Sequence, residues 1–252
     1  MINTQNAVKL TDKNYWEKTY DQTNFDIIQK QDTLRKWIEA HISKVEGEKD
    51  ALEIGCYPAR YLAVFGELGY KLNGVDIVDG VDTKIPEWLT DKGYKTGSFY
   101  KSDIFQFEPK NQYDLVCSFG FIEHFTNYKE VIEKHLKLVK QSGLVVIETP
   151  NFRGFVQNFL HRFLDKTNYD RHFIPSMNPQ EWETILKNEG FEIITSGYFG
   201  GFDFWSENEN LNILQKILIK SLYILKYTIK VLGINLNHSS FSAYCGIIAK
   251  KL

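Results

Sequence analysis

The hydrophobic pattern of this chain keeps changing its period, and that alternation narrows the fold more than any one motif. Short apolar runs at Ala51 to Ile54, Leu72 to Ile77, around Phe99, Leu115 to Ser118 and Leu144 to Glu148 read as buried strands. Between and before them lie stretches of helical character: Asn14 to Ser43, a helix opened by Pro58 and closed by Gly69, Glu87 to Lys92, and Tyr128 to Val139. Consecutive parallel strands need such crossover helices, so the pattern predicts an α/β sheet protein. Beyond Pro150 the rhythm loosens to a helix at Pro179 to Asn188 stopped by Gly190, a strand at Phe191 to Thr195 and a last strand at Phe241 to Ala249. No repeat or low-complexity linker divides the 252 residues, enough for one large domain.

Charge and cysteine usage remove several classes of function. Thirty Lys and Arg against 32 Asp and Glu give a net charge of -2, without the basic footprint that grips nucleic acid. Met1 to Leu10 is polar, unlike a secretory signal, and no stretch is long and apolar enough to span a bilayer, so the expected location is cytoplasmic. Cys56, Cys117 and Cys245 are far apart in apolar surroundings and read as buried thiols, not as a disulfide frame or zinc set. No metal is expected either: Glu123 and His124 are adjacent, so their side chains should diverge, and no H-x-E or C-x-x-C accompanies them.

In an open α/β sheet, ligands bind beyond the carboxyl ends of the strands, where the winding reverses. The residues there are Glu53-Ile54-Gly55 after the first strand, Asp76 near the end of the second, Asp103-Ile104 beyond the third, and Ser118-Phe119-Gly120 with Glu123-His124 beyond the fourth. Such carboxylates suit hydroxyl and amino groups and repel phosphate. Gly55 is followed by Tyr57, Pro58 and Ala59 instead of the G-x-G-x-x-G that cradles a pyrophosphate, and a P-loop lysine is missing. These features point to a nucleoside ligand without phosphates.

In the order and separation of these blocks the chain resembles the class I S-adenosylmethionine-dependent methyltransferases. The resemblance covers roughly Tyr15 to Phe191 and is carried by Leu52-Glu53-Ile54-Gly55-Cys56, Gly74-Val75-Asp76-Ile77, Ser102-Asp103-Ile104, and Tyr113-Asp114-Leu115-Val116 leading to Phe121-Ile122-Glu123-His124-Phe125. It implies a Rossmann-like fold, a mostly parallel seven-stranded sheet with the last strand antiparallel and helices on both faces. One domain would span 1–252, with an N-terminal helical cap at 1–45 and an inserted helical lid at 200–240. By the same resemblance, S-adenosyl-L-methionine is the cofactor. Glu53 and Gly55 would border its methionine part, Asp76 would accept from its ribose hydroxyls, Asp103 and Ile104 would frame its adenine, and Phe119 would line its methyl-bearing end, with Tyr57 and Ile77 also among the cofactor-binding residues. Tyr15-Trp16-Glu17 and Tyr20 would belong to an aromatic segment folding over it. The family pattern usually carries glycines where this chain has Tyr57 and Ala59, a departure in the cofactor loop.

The expected activity is methyl transfer to a small molecule, most simply O-methylation of a sugar hydroxyl on a nucleotide-linked or surface-polysaccharide precursor. The alternatives are a quinone or lipid acceptor at a membrane surface and a non-catalytic cofactor-binding scaffold. A sugar hydroxyl must lose its proton as the new bond forms, which makes His124 the leading base, with His172 on the segment facing the acceptor. A scaffolding role for the Glu-His pair is the competing reading of His124. His135 reads as an ordinary core or surface histidine, and His41, His161 and His238 have no partner at a diagnostic spacing. The excursions Asn151 to Asn178 and Gly200 to Ser240 should build the acceptor pocket, with Phe199, Phe202, Phe204 and Trp205 as lid or wall. Leu211 to Leu232 is an amphipathic, cationic helix whose Lys216, Lys220, Lys226 and Lys230 fall within an arc of about 120°. Packing on its own domain is the simplest reading; an anionic membrane surface, the acceptor pocket and a dimer partner are the other neighbours it suits, and the oligomeric state is open.

Overall fold

The computed structural model describes residues 9–21, 23–208, 210–234 and 236–252. Among these, seven strands form one sheet: β1 Asp50–Ile54, β2 Lys71–Asp76, β3 Thr96–Lys101, β4 Tyr113–Phe119, β5 Val139–Pro150, β6 Phe191–Phe202 and β7 Ser242–Lys251. The order is β3-β2-β1-β4-β5-β7-β6. Strands β1 to β5 pair in parallel, and β7 runs antiparallel to both β5 and β6. The direction of winding reverses between β1 and β4. That is the crevice in which such a sheet holds its ligand.

The helices are α1 Lys13–Tyr20, α2 Thr33–His41, α3 Leu62–Glu67, α4 Lys84–Asp91, α5 Tyr128–Lys137, α6 Phe155–Leu164, α7 Lys166–Tyr169, α8 Pro179–Asn188 and α9 Ile213–Val231. Successive strand residues face opposite sides, so each central strand feeds two cores. Ala51, Leu72 and Leu115 pack with Leu34 and Ile38 of α2, Leu62 and Phe65 of α3, and Ile85 and Leu89 of α4. Leu52, Val75 and Val116 pack on the other face with Val131 and Leu136 of α5 and Trp182 and Leu186 of α8. Each such buried side chain contributes about 1.5–3 kcal/mol of burial free energy. Cys56, Cys117 and Cys245 are free, buried thiols, as their apolar surroundings predict.

Several expected boundaries move. The helix expected from Asn14 to Ser43 is two helices, because Asp32 accepts the Arg35 amide at 2.9 Å and caps a fresh start, while Phe25, Ile27 and Ile28 pack on the core from an irregular segment. Pro58 does not open a helix: α3 begins at Leu62, after Ala59 takes a left-handed backbone with φ 65°. Gly69, with φ 96°, does end it. Strands β5 and β6 run several residues further than their apolar runs. Helices α6 and α7 emerge where the pattern had loosened.

Candidate active site

The carboxyl ends of β1, β2 and β4 open onto a cavity of about 320 Å³. Glu53, Gly55, Tyr57, Asp76, Ile77, Asp103, Ile104, Phe119 and Tyr20 all line it, so nine of the ten residues expected around the cofactor come together. Tyr15 does not. Its neighbour Trp16 lines this cavity, and Tyr15 points into the next one. A helix turns its successive side chains by about 100°, which separates the two rings.

Asp76 is held by three backbone amides: Tyr57 donates at 3.0 Å to Oδ2, and Ile77 and Val78 donate at 2.6 and 3.2 Å to Oδ1. Burial nevertheless raises its pKa above the ordinary value. Glu53 is buried beside it, its Oε2 has no hydrogen-bond partner among the described residues, and burial followed by the Asp76 charge pushes its pKa well up. Gly55 has φ 71°, and a Cβ there would sit 2.3 Å from the Phe121 ring, so the turn requires glycine. Asp103 accepts the Phe105 amide at 2.9 Å through Oδ1 and pairs through Oδ2 with Lys9. The expected adenine contact therefore shares its carboxylate with the amino-terminal strap.

That strap covers the cavity. Lys9 bridges to Phe125, Leu10 donates its amide to the His124 carbonyl at 2.9 Å, and Asp12 caps α1. Trp16 then stacks on Tyr20, Tyr20 lies 5.0 Å from Tyr57, and Trp16 meets His124 edge-on at 5.0 Å. Tyr57, the departure from the glycine pattern, thus closes an aromatic wall and is 7% exposed.

A second cavity of about 360 Å³ adjoins the first. Trp16, Tyr61, Phe119, Gly120 and His124 line both, forming a shared boundary. The second is closed by Glu123, Glu148, Phe152, Arg171, His172, Trp205 and Tyr244, and so draws on both late excursions. The segment after α7 is tied to the turn after β4: Phe173 donates to the Glu123 carbonyl at 2.6 Å, and the Arg171 carbonyl faces His124 Nδ1 at 3.0 Å. A carbonyl only accepts, so with the proton on Nδ1 the neutral ring keeps a lone pair on Nε2, and the Gly120 carbonyl favours a second ring proton. His172 repeats the arrangement, with Nδ1 donating to the Asn168 carbonyl at 2.6 Å. The two rings are 4.8 Å apart.

Burial governs the charge of this cluster. It lowers the His124 pKa from 6.5 to about 4, against the carbonyls of Arg171 and Gly120, and lowers that of His172 further, with the His124 charge adding to it. It raises Glu123 from 4.5 to about 8, and neither Glu123 oxygen has a hydrogen-bond partner among the described residues. Glu148 is raised as well, by burial and then by the Glu123 charge. Two neutral imidazoles and a neutral Glu123 therefore face the cavity near pH 7. Glu123, His124 and His172 offer ligand atoms within 4.8 Å of one another. The expectation that Glu123 and His124 diverge fails because they lie on a tight 3-10 turn, Ile122–His124, and His172 approaches from outside. This trio could share one acceptor hydroxyl or one cation.

Other residues escaped the sequence reading. Glu148 ends an apolar run at the carboxyl edge, a signal of the same kind as Glu53. His161 has a partner four residues on, Asp165, at 3.5 Å, and both are fully buried, correcting the expectation that it stands alone. His135 is a core histidine bonded to the Val131 carbonyl at 2.7 Å.

The fold and the carboxylate-bearing cavity at its switch point define the class, a class I S-adenosylmethionine-dependent methyltransferase. The chain belongs to the methyltransferase domain family, whose sequence profile matches residues 26–196. It is 24% identical over 164 residues to a ubiquinone biosynthesis O-methyltransferase of Rickettsia bellii, over 62% of this chain, and spans 66% of that relative's length. Its fold matches an S-adenosylmethionine-dependent methyltransferase from Archaeoglobus fulgidus with a TM-score of 0.54 and 20% identity, over 86% of this chain and 93% of that one. It also matches coclaurine N-methyltransferase, solved with N-methylheliamine and S-adenosylhomocysteine, with a TM-score of 0.56 and 14% identity, over 89% and 76%. The chain thus carries a methyltransferase domain of the kind that uses S-adenosylmethionine as cofactor. The residues present fit that cofactor: the orphaned Glu53 oxygen beside Asp76 is a buried acidic pair suited to a cation and to hydroxyl donors.

Proposed function

We propose that the enzyme O-methylates a hydroxyl on a compact, ring-shaped acceptor of the phenol or quinol type, bound in the second cavity, with His124 as the base. The single observation behind this reading is the shared wall: His124 lines both cavities, so one imidazole faces the cofactor site and the acceptor site together. Bound S-adenosylmethionine supplies a methyl group made electrophilic by a positive sulfur. Glu53, Gly55, Asp76 and Asp103 would hold it, with Trp16 and Tyr20 excluding water from above.

The chain's own contribution is orientation and proton removal. The rings of Phe119, Phe152, Trp205 and Tyr244 offer planar faces to an acceptor. His124 Nε2 takes the proton from the acceptor hydroxyl as its oxygen becomes nucleophilic. His172 stands 4.8 Å behind it, and neutral Glu123 can donate a hydrogen bond to the same oxygen.

A sugar hydroxyl, the acceptor expected from sequence, is the second reading, because the same rings could stack on a pyranose face. Its nucleotide-linked form is less well served. Arg171 is the one Lys or Arg lining the cavity among the described residues, and it is engaged with Glu207 at 2.5 Å and lies over the Tyr15 ring at 4.7 Å. A pyrophosphate would have to break that pairing.

The test offers purified enzyme, with S-adenosylmethionine, a panel of water-soluble phenols, catechols and sugar nucleotides, and follows mass gain of one methylene. Methylation of a phenolic acceptor supports the reading, and methylation confined to sugar nucleotides overturns it. His124→Asn should lower turnover about a hundredfold or more while leaving S-adenosylhomocysteine affinity unchanged. Undiminished turnover would assign the Glu-His pair to scaffolding.

A further inference from the structure

Helices α6 and α9 leave most of their apolar surface in water. On α6, Phe155, Phe159 and Phe163 recur every fourth residue along one stripe and are 79%, 61% and 54% exposed. On α9, Ile219 is the one fully buried residue of nineteen. Its outward side carries Ile213, Leu214, Ile217, Ile224, Tyr227 and Val231, all largely exposed. The two helices are joined to each other: Leu160 and Leu164 of α6 pack with Ile219 of α9 and Phe204, and Gln215 Nε2 donates to the Phe163 carbonyl at 3.0 Å. Their outward stripes thus belong to one continuous projection. A monomeric protein rarely tolerates an apolar patch of this extent without a partner.

Charge identifies the partner. Leu211 to Leu232 contains Lys216, Lys220, Lys226 and Lys230 and no acidic residue, in a chain whose net charge is -2. Of the four, Lys226 is tied to Asp203 at 2.5 Å, while Lys216, Lys220 and Lys230 border the apolar stripe and make no ion pair among the described residues. The α6 segment Phe155–Leu164 adds Arg162 and again no acid. A second copy of the same face would oppose lysines to lysines. An anionic lipid surface answers both features, accepting the apolar side chains below the headgroups and the ammonium groups among them. No helix among the described residues is long and apolar enough to cross a membrane, so the projection would lie in the interface.

We propose that α6 and α9 form a docking surface for an anionic bilayer, and that it places the acceptor cavity at the lipid surface. This deepens the phenol or quinol reading and rests on it only for the second clause. The link is structural. Phe152, which lines the acceptor cavity, stacks at 3.9 Å on His161 of α6, and Trp205, on the same cavity, meets His161 at 5.1 Å. Asn168, Arg171 and His172 follow directly in the chain. A membrane-resident acceptor would meet the enzyme on the side where its pocket is built.

The test is co-sedimentation of the full chain with vesicles of phosphatidylcholine alone, or with a third replaced by phosphatidylglycerol. The protein should sediment with the anionic vesicles, stay in solution with the neutral ones, and be released by salt. Lys216→Glu with Lys220→Glu should weaken partitioning at least about fivefold per lysine, and Phe159→Ser with Ile217→Ser should abolish it. These side chains are exposed, so S-adenosylhomocysteine binding should persist in both variants and serve as the folding control. Because the native cysteines are buried, Ile224→Cys offers one accessible thiol for an environment-sensitive dye, whose emission should shift to the blue on anionic vesicles only. Protein remaining in solution with anionic vesicles, or equal binding to neutral ones, overturns the docking surface. So does a stable dimer that Phe159→Ser with Ile217→Ser converts to monomer. Turnover of soluble phenols needs no vesicles, so failure of the acceptor reading would leave these results untouched.

Discussion

The two ends of the sheet are built on different principles. Around β1, β2 and β4 the cofactor cavity is made from strand ends, each placing a side chain at a position set by the pleat, with the backbone itself holding Asp76 through three amides. Around β5 and β7 the cavity proposed for the acceptor joins strand residues such as Glu148 and Tyr244 to excursions between strands, and tertiary ties such as Phe173 to Glu123 hold it in place. The first half, as the proposed cofactor site, would hold a ligand of fixed shape and repay rigidity. The second must suit one acceptor among many, and it can be rebuilt by loop changes that leave the sheet alone.

The sharpest way to break this contrast is to disturb the rigid half at one point. Gly55→Val forces a side chain into a backbone with φ 71° and into the Phe121 ring, which is itself packed against Phe125 at 5.0 Å. The left-handed backbone and the overlap together should cost about 2–5 kcal/mol. S-adenosylhomocysteine affinity by calorimetry should then fall about a hundredfold, with a lowered melting temperature. Gly55→Ala combined with Phe121→Leu, which makes room for the methyl, should recover part of that loss. Near-native binding by Gly55→Val would show that the turn is adaptable and the contrast overstated.

The difference between the halves also explains what was legible in the sequence. Glu53, Asp76 and Asp103 could be placed because a buried strand announces its own end, and residues at or just past that end lie beside the crevice. Tyr15 lines the second cavity and Trp16 the first, because an aromatic run does not say which ring points where once α1 is a helix. Helices α6 and α7 went unread because Phe155, Phe159 and Phe163 put apolar residues on the outward face, so the expected division between inner apolar and outer polar faces was absent. The long helix was legible as amphipathic and cationic, but its shallow burial was not, since burial depends on what the rest of the chain presents to it. Convergence of His172 on Glu123 and His124 is a tertiary event with no local trace. Glu148 and the His161 and Asp165 pair, by contrast, were readable and overlooked.

A pH profile sharpens the comparison on the acceptor side. His124, pushed down to about 4, is a free base across the neutral range, so kcat/KM should hold on the acid side well below the ordinary imidazole value of 6.5. Glu123, raised to about 8, is a neutral acid until ionisation turns it into an acceptor facing the hydroxyl, so activity should decline above about pH 8. Glu123→Gln should keep most of the neutral turnover and flatten that alkaline limb. Stability follows the same shifts. The raised Glu123 contributes stability fully below 4.5, lost as pH rises through about 8, whereas the depressed His124 contributes above 6.5 and loses its contribution as pH falls through about 4. A limb unchanged in Glu123→Gln would remove Glu123 from the acceptor site.

The smallest expected effect lies in the cofactor loop, at its departure from the glycine pattern. Ala59 holds φ 65°, a conformation that costs an L-residue about 1–2 kcal/mol and costs glycine nothing sterically. Its methyl is buried, and glycine gains entropy in the unfolded chain, so part of the benefit is returned. Ala59→Gly should therefore stabilise by about 0.5–1 kcal/mol, a rise of about 1–3 °C in Tm. Cofactor affinity should stay the same, because the aromatic wall is completed by Tyr57 and not by residue 59. A fall in Tm would mean that the buried methyl outweighs the strain. The loop would then be fitted to alanine, and the rigid half would prove to be tuned residue by residue even where it leaves the family pattern.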